Sequence, residues 1–499
     1  MGIIIRQSLK ASFAGYLGTI IGAFNILWLS PKFLTPSQIG LISWIESVGL
    51  LVLVLCNWGG ANLSDKFFPM FKNAEKKHNG LLLFLFIYSY TCLLFFGLLF
   101  YSTQNIWLSY YTENAPENQA YFGYVWLYVI FLLQIMLLES YLRGHLRIAL
   151  PSFFREVILR ILIVISILFY ASKYFSFDFL VLIRVFSYGL IGIILWFYIK
   201  YLKILYLTFQ PKFFTKNKLK EIFTYSTYIM FAGAGSIVVM KIDTIMIPAM
   251  LNNSALGIYM IAYFLGSVLD IPRKAIAQIS TPIISQAWKE NNITLIQKIY
   301  QKSALNQLII ACFLFLGIWL NIDNIFMIMP NGKLYLEGKW VVFFIALTRV
   351  VDMATGISTE ILIQSKYFRF NFWSIIILSI LMIFGNTIFI PMYQITGAAF
   401  ATFLSFALYN LIKFIFLYIK FGFQPFHINS LKVLILSLFI YYTSLFLPIF
   451  SSIFLNIFIV STYITLVYVL VVWFGNFSED ITQIVENILN KCKKIFKNK

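Results

Sequence analysis

Positive charge alternates along this chain. About fourteen apolar stretches, each long enough to cross a bilayer, divide the 499 residues. Every second connection between them is rich in Lys and Arg, and the others hold almost none. An apolar run of roughly 18 residues or more can satisfy its backbone in lipid only as a helix, because no water is there to donate or accept. The stretches lie near 13–30, 39–59, 81–101, 121–141, 156–172, 179–200, 223–247, 254–272, 304–322, 340–363, 372–391, 395–419, 431–450 and 454–474, and 254–272 has the composition to continue towards Pro282. The expected fold class is an all-α polytopic membrane protein of about fourteen transmembrane helices. Composition agrees: the chain is 61% hydrophobic and 11% charged, where a soluble chain is about a quarter charged.

The basic residues also give an orientation. With the N-terminus in the cytoplasm, about 29 Lys and Arg fall on the inside, in groups such as Lys66/Lys72/Lys76/Lys77 and Lys200 to Lys220. The outside holds only Lys32, Lys173, Lys333 and Lys339. Orientation normally follows a smaller bias, so N- and C-termini are both expected in the cytoplasm. The net charge of +19 then serves orientation and anchoring to anionic lipid, and nucleic acid is not an expected partner. Met1–Lys10 lacks the pattern of a cleavable signal, so the first span is expected to be retained. No outside connection is long enough for a folded domain, the longest being roughly 322–339.

The segment 12–48 aligns without gaps on 229–265: Gly18 with Gly235, Pro31 with Pro248, Leu34 with Leu251, Ser37 with Ser254 and Gly40 with Gly257. Two six-helix lobes of like orientation follow, at 1–199 and 222–420, joined by a basic cytoplasmic linker at 200–221. Helices 13–14 are added at 421–475, and 476–499 forms an amphipathic basic cytoplasmic tail. Parallel repeats around a central site are a transporter layout, although duplication kept for stability alone gives the same pattern.

Ionisable residues deep in a span cost about 2.5–3.5 kcal/mol on insertion scales and usually face a wet cavity or a partner. The deep cations are Arg184, Lys241 and Arg349, and the deep anions are Glu46, Asp243 and Asp352. Arg349 and Asp352 are three apart and can pair along one helix face. Lys241 and Asp243 are two apart, leave the helix about 200° from each other and need different partners. One reading makes Arg184, Lys241 and Arg349 a cationic binding site for an anionic ligand such as a diphosphate, with Glu46, Asp243 and Asp352 in ion coupling or interhelical pairing. The other makes all six interhelical salt bridges. Glu139, Glu156, Arg160, Asp270 and Glu360 lie near expected inner ends and are read as reaching the interface.

Enzyme signatures are missing. The chain has no Gly-x-x-x-x-Gly-Lys-[Ser/Thr] loop, no nucleophile elbow, and no metal-ligand spacing among its His or Cys residues. The expectation is a protein that is not an enzyme, with no catalytic, cofactor or metal site.

Pro31-Lys32-Phe33-Leu34-Thr35-Pro36-Ser37-Gln38-Ile39-Gly40, Lys241-Ile242-Asp243, Ala255-Leu256-Gly257-Ile258-Tyr259 and Gly397-Ala398-Ala399-Phe400-Ala401-Thr402 together give the chain a likeness. It resembles the polysaccharide transporters, or O-antigen and lipid-linked oligosaccharide flippases, of the multidrug/oligosaccharidyl-lipid/polysaccharide exporter superfamily. The resemblance implies a multi-pass protein of the bacterial inner membrane that moves undecaprenyl-diphosphate-linked oligosaccharide (an O-antigen, capsule or exopolysaccharide repeat unit) between leaflets by alternating access. It implies proton or sodium coupling rather than a bound cofactor. Its implied partners are membrane lipids and the polymerase and glycosyltransferases of the same pathway. A cation-coupled multidrug antiporter of the same fold is the alternative.

Overall fold

The computed structural model describes residues 2–73, 77–208, 210–483 and 486. Helix α1 (Gly2–Phe24) runs on through a π turn at Asn25–Leu29 and a last turn at Ser30–Phe33. It stops at Leu34 and Thr35, both extended ahead of Pro36. Thr35 then caps α2 (Pro36–Asn57): its hydroxyl accepts from the Gln38 amide at 3.3 Å, and the Gln38 side chain accepts the Thr35 N–H at 3.0 Å. That reciprocal pair satisfies two donors a helix start otherwise leaves bare.

The remaining spans are α3 (Leu81–Ser102), α4 (Glu117–Gly144), α5 (Leu159–Ala171, entered through Ala149–Phe153 and a π turn), α6 (Phe177–Tyr201) and α7 (Lys216–Met250). Then come α8 (Asn253–Ser267), α9 (Asp270–Lys289), α10 (Ile293–Trp319), α11 (Lys339–Ala354), α12 (Ser358–Gln364), α13 (Phe368–Phe421), α14 (Ile428–Ser444) and α15 (Ile453–Phe474). Among the described residues no strand forms. Nine described helices are long and apolar enough to cross a membrane, and eleven when each bent pair is taken as one span. Each expected stretch coincides with helix over most of its length.

Three details differ from a row of straight spans. α8 and α9 form one path bent by 49°, reaching Lys289 rather than ending near 272. α11 and α12 are bent by 52°. α13 holds two of the expected spans, reversed at Gln394 with φ 53° and ψ −135° just after Pro391. Its halves lie side by side: a Cβ on Gly397 would stand 1.9 Å from the Phe389 carbonyl oxygen, and one on Gly385 would stand 3.0 Å from Ala401 Cβ. Most of the tail expected at 476–499 falls outside the described residues.

The chain falls into two compact units, Met1–Gly257 and Ile258–Lys499. In the first, α2 is the most deeply packed span, burying Trp44, Ile45, Val52 and Leu53 against α4, α3 and α7. In the second, Leu308, Cys312, Leu316, Met353, Ile440, Ile464 and Tyr468 join α10, α11, α14 and α15 in one apolar core. The outward faces carry large apolar side chains, such as Phe454, Phe458 and Phe474 on α15, a surface suited to lipid rather than water.

The aligned segments meet each other. A Cβ on Gly40 would lie 1.9 Å from the Asn253 carbonyl oxygen, and one on Gly257 would lie 1.9 Å from the Pro36 carbonyl oxygen. Pro36 matches Asn253, and Gly40 matches Gly257, at the same shift of 217 residues. The contact therefore maps onto itself when the two copies are exchanged, and only glycine allows it. Asn253 also donates to Glu117 Oε1 at 2.8 Å and to Asn118 Oδ1 at 2.7 Å.

Candidate functional site

The six deep charges fall into two groups, one per unit. In the first unit, Arg184 on α6 holds Glu46 on α2, with Nη2 at 2.8 Å and Nε at 2.9 Å from Oε1. Ile42, Ile45, Tyr128, Val181, Val185 and Tyr188 line a narrow crevice around the pair. Gly49, one turn along α2, leaves room for Tyr128, since a Cβ there would stand 2.5 Å from the ring. Lys241 on α7, the helix packed against α2, feels the Glu46 carboxylate but forms no ion pair with it or with any other described residue. Asp243 is buried, with neighbours of its own. The Glu46 carboxylate thus pairs with Arg184 and acts on Lys241 from a distance.

In the second unit the charges are matched. Arg273 on α9 meets Asp352 on α11 at 2.5 Å. Arg349 on α11 meets Asp270 on α9 at 3.2 Å, donates to the Tyr263 hydroxyl at 3.2 Å, and lies over the Phe406 ring. Lys413, in the second half of α13, is 1% exposed; its ammonium donates to Thr359 Oγ1 at 2.9 Å, stands 4.1 Å from the Tyr409 ring centre, and feels Asp352. Thr355 donates to Asn410 Oδ1 at 3.1 Å. Glu360 adds a third carboxylate within the field of Arg273. All of these surround the bends between α8 and α9 and between α11 and α12.

Arg349 and Asp352 stand close enough to interact, as their spacing allows, but each finds its ion pair on α9. Asp270 and Arg273 belong to the group because the helical path does not end near 272. It bends at 268–269 and continues, which places them mid-path. Lys413 has a visible signal, a largely apolar span on both sides broken only by Asn410 nearby, yet it is absent from the expected set. Of the other charges read as end residues, Glu139 meets Arg155 at 2.7 Å, and Glu156 meets Arg155 at 3.3 Å and Arg160 at 3.0 Å. Among the described residues no cluster of three or more His, Cys, Asp or Glu could hold a metal ion.

Residues 32–322 match the family model described as polysaccharide biosynthesis protein. The chain belongs to that family. No curated protein matches it in sequence. Among solved structures, this family member is similar to a lipid II flippase MurJ in an inward closed conformation, at TM-score 0.73 and 13% identity over 94% of this chain and 100% of that one. It is also similar to an inward-facing multidrug resistance transporter of the MATE family of the MOP superfamily, at TM-score 0.65 and 13% identity over 81% of this chain and 94% of that one. At such identity the likeness is one of fold: a polytopic, all-helical transporter fold shared with MurJ and MATE proteins.

Proposed function

We propose that this protein is a flippase that carries a polyprenyl-diphosphate-linked oligosaccharide from the inner to the outer leaflet of a bacterial cytoplasmic membrane by alternating access. Membership of a polysaccharide biosynthesis family, joined to a fold shared with a lipid II flippase over 94% of the chain, carries the reading. The charge arrangement supports it. Arg184 and Lys241 offer a planar fork and a point charge that both act on Glu46, a combination that suits phosphate oxygens. Arg349 is the third cation of the proposed substrate path. Glu46, Asp243 and Asp352 serve in pairing or in coupling to a proton or sodium ion. Two six-helix lobes, 1–199 and 222–420, rock about the path, and both termini stay in the cytoplasm.

The test is a deletion strain complemented with variants. Lys241→Ala and Arg184→Ala should reduce surface polysaccharide while protein level in the membrane stays unchanged, and lipid-linked glycan should accumulate facing the cytoplasm. Full surface polysaccharide in both variants would remove these residues from the path. The MATE likeness supports a second reading, export of cationic drugs. Drug hypersensitivity of the deletion strain, with unchanged polysaccharide, would favour it.

A further inference from the structure

We propose that Glu46 is an internal stand-in for phosphate: its carboxylate occupies the anion position of the Arg184–Lys241 site and is displaced by one phosphate of a diphosphate lipid. The inference rests on the flippase reading and adds a residue role and an order of events to it.

Three observations carry it. Both Arg184 contacts, at 2.8 and 2.9 Å, close on a single carboxylate oxygen, so the guanidinium is held by one acceptor where its fork can take two. The Glu46 side chain keeps 26% of its exposure, so it is not sealed in place as Asp352 is at 6%. Lys241 lies within the field of the same carboxylate and touches no other, so one negative charge answers two positive ones.

The physics makes such a residue useful. An arginine and a lysine without any counter-ion are expensive within a bilayer, about 2.5–3.5 kcal/mol each on insertion scales. A carrier must nevertheless return empty. Glu46 supplies one negative charge in that state and lowers the cost. A phosphate brings more charge and further acceptor oxygens, so it can take Arg184 bidentately and Lys241 together, which a single carboxylate held through one oxygen does not. Glu46 then turns from Arg184 towards Tyr128 and Tyr188, which line the same crevice. When phosphate leaves, the carboxylate returns and helps to release it.

Binding to the purified full-length protein in detergent tests this, with farnesyl diphosphate and inorganic pyrophosphate as separate probes. Removing the competitor with Glu46→Gln should tighten farnesyl diphosphate binding about tenfold, and Glu46→Gln with Lys241→Gln should return it towards wild type. Tightening for both probes identifies the diphosphate as the recognised group; tightening for farnesyl diphosphate alone identifies the lipid-borne form. If Glu46→Gln does not fold, Glu46→Asp, which withdraws the carboxylate from Arg184, should tighten binding by a smaller factor. Equal or weaker binding of both probes in the folded variant overturns the inference. Failure of the wild-type protein to move any polyprenyl-diphosphate glycan in vesicles would sink the flippase reading itself, a separate outcome.

Discussion

Glu46 and Asp352 are both carboxylates held by an arginine from another helix, yet their surroundings differ. Glu46 is partly open, answers two cations, and lies on α2, a straight and deeply packed helix. Asp352 is 4% exposed, and with Asp270 and Glu360 it balances Arg273, Arg349 and Lys413 beside two bent helices. An enclosed carboxylate such as Asp352 suits holding a shape. A lopsided and accessible one suits exchanging partners. Charge balance and accessibility together distinguish the two places.

The largest expected effect is in the second unit. Asp352→Ala leaves Arg273 and Lys413 without their nearest carboxylate, and breaking a buried pair from one side costs about 3–5 kcal/mol. Thermal unfolding in detergent should show a clear fall in melting temperature; a wild-type melting curve would end the contrast. Next is Lys241→Ala, for which transport in reconstituted vesicles should drop about tenfold or more. Its melting temperature should stay near that of wild type, because no ion pair is lost; a fall as large as that of Asp352→Ala would place Lys241 among the structural charges. Third, exchanging the Arg184–Glu46 pair as Arg184→Glu with Glu46→Arg should recover most of the stability lost in either single variant but not transport, whereas the same exchange at Arg273 and Asp352 should recover both. The smallest effect is expected for Lys413→Met, which keeps the apolar stem, removes the charged hydrogen bond to Thr359 and leaves Asp352 paired with Arg273, a net change of about 1.5–3 kcal/mol. A loss comparable to Asp352→Ala would show that the ammonium is required in the network.

The membrane helices were legible because lipid imposes one rule on every span: length and apolarity are written residue by residue. Gly40 and Gly257, which the alignment matches, both stand where a backbone approach excludes any side chain. Partners were less so. Spacing sets Lys241 apart from Asp243 and allows Arg349 beside Asp352, but ion pairs form between helices, and which helices adjoin is not a local property. Asp270 reads as an end residue because the apolar run thins out there, yet Gly266 and Pro272 flank the 49° bend and mark a break within one path. Lys413 was overlooked although its apolar flanks are plain, and only packing against Tyr409 and Thr359 shows how completely it is enclosed.

The paired glycines have a geometric corollary. Because Pro36 to Gly40 and Asn253 to Gly257 trade places under the same shift of 217 residues, the two backbones bear on each other at matched points. A methyl group added at either glycine would meet a carbonyl oxygen that no rotamer change can move, so Gly40→Ala and Gly257→Ala should each force these two segments apart.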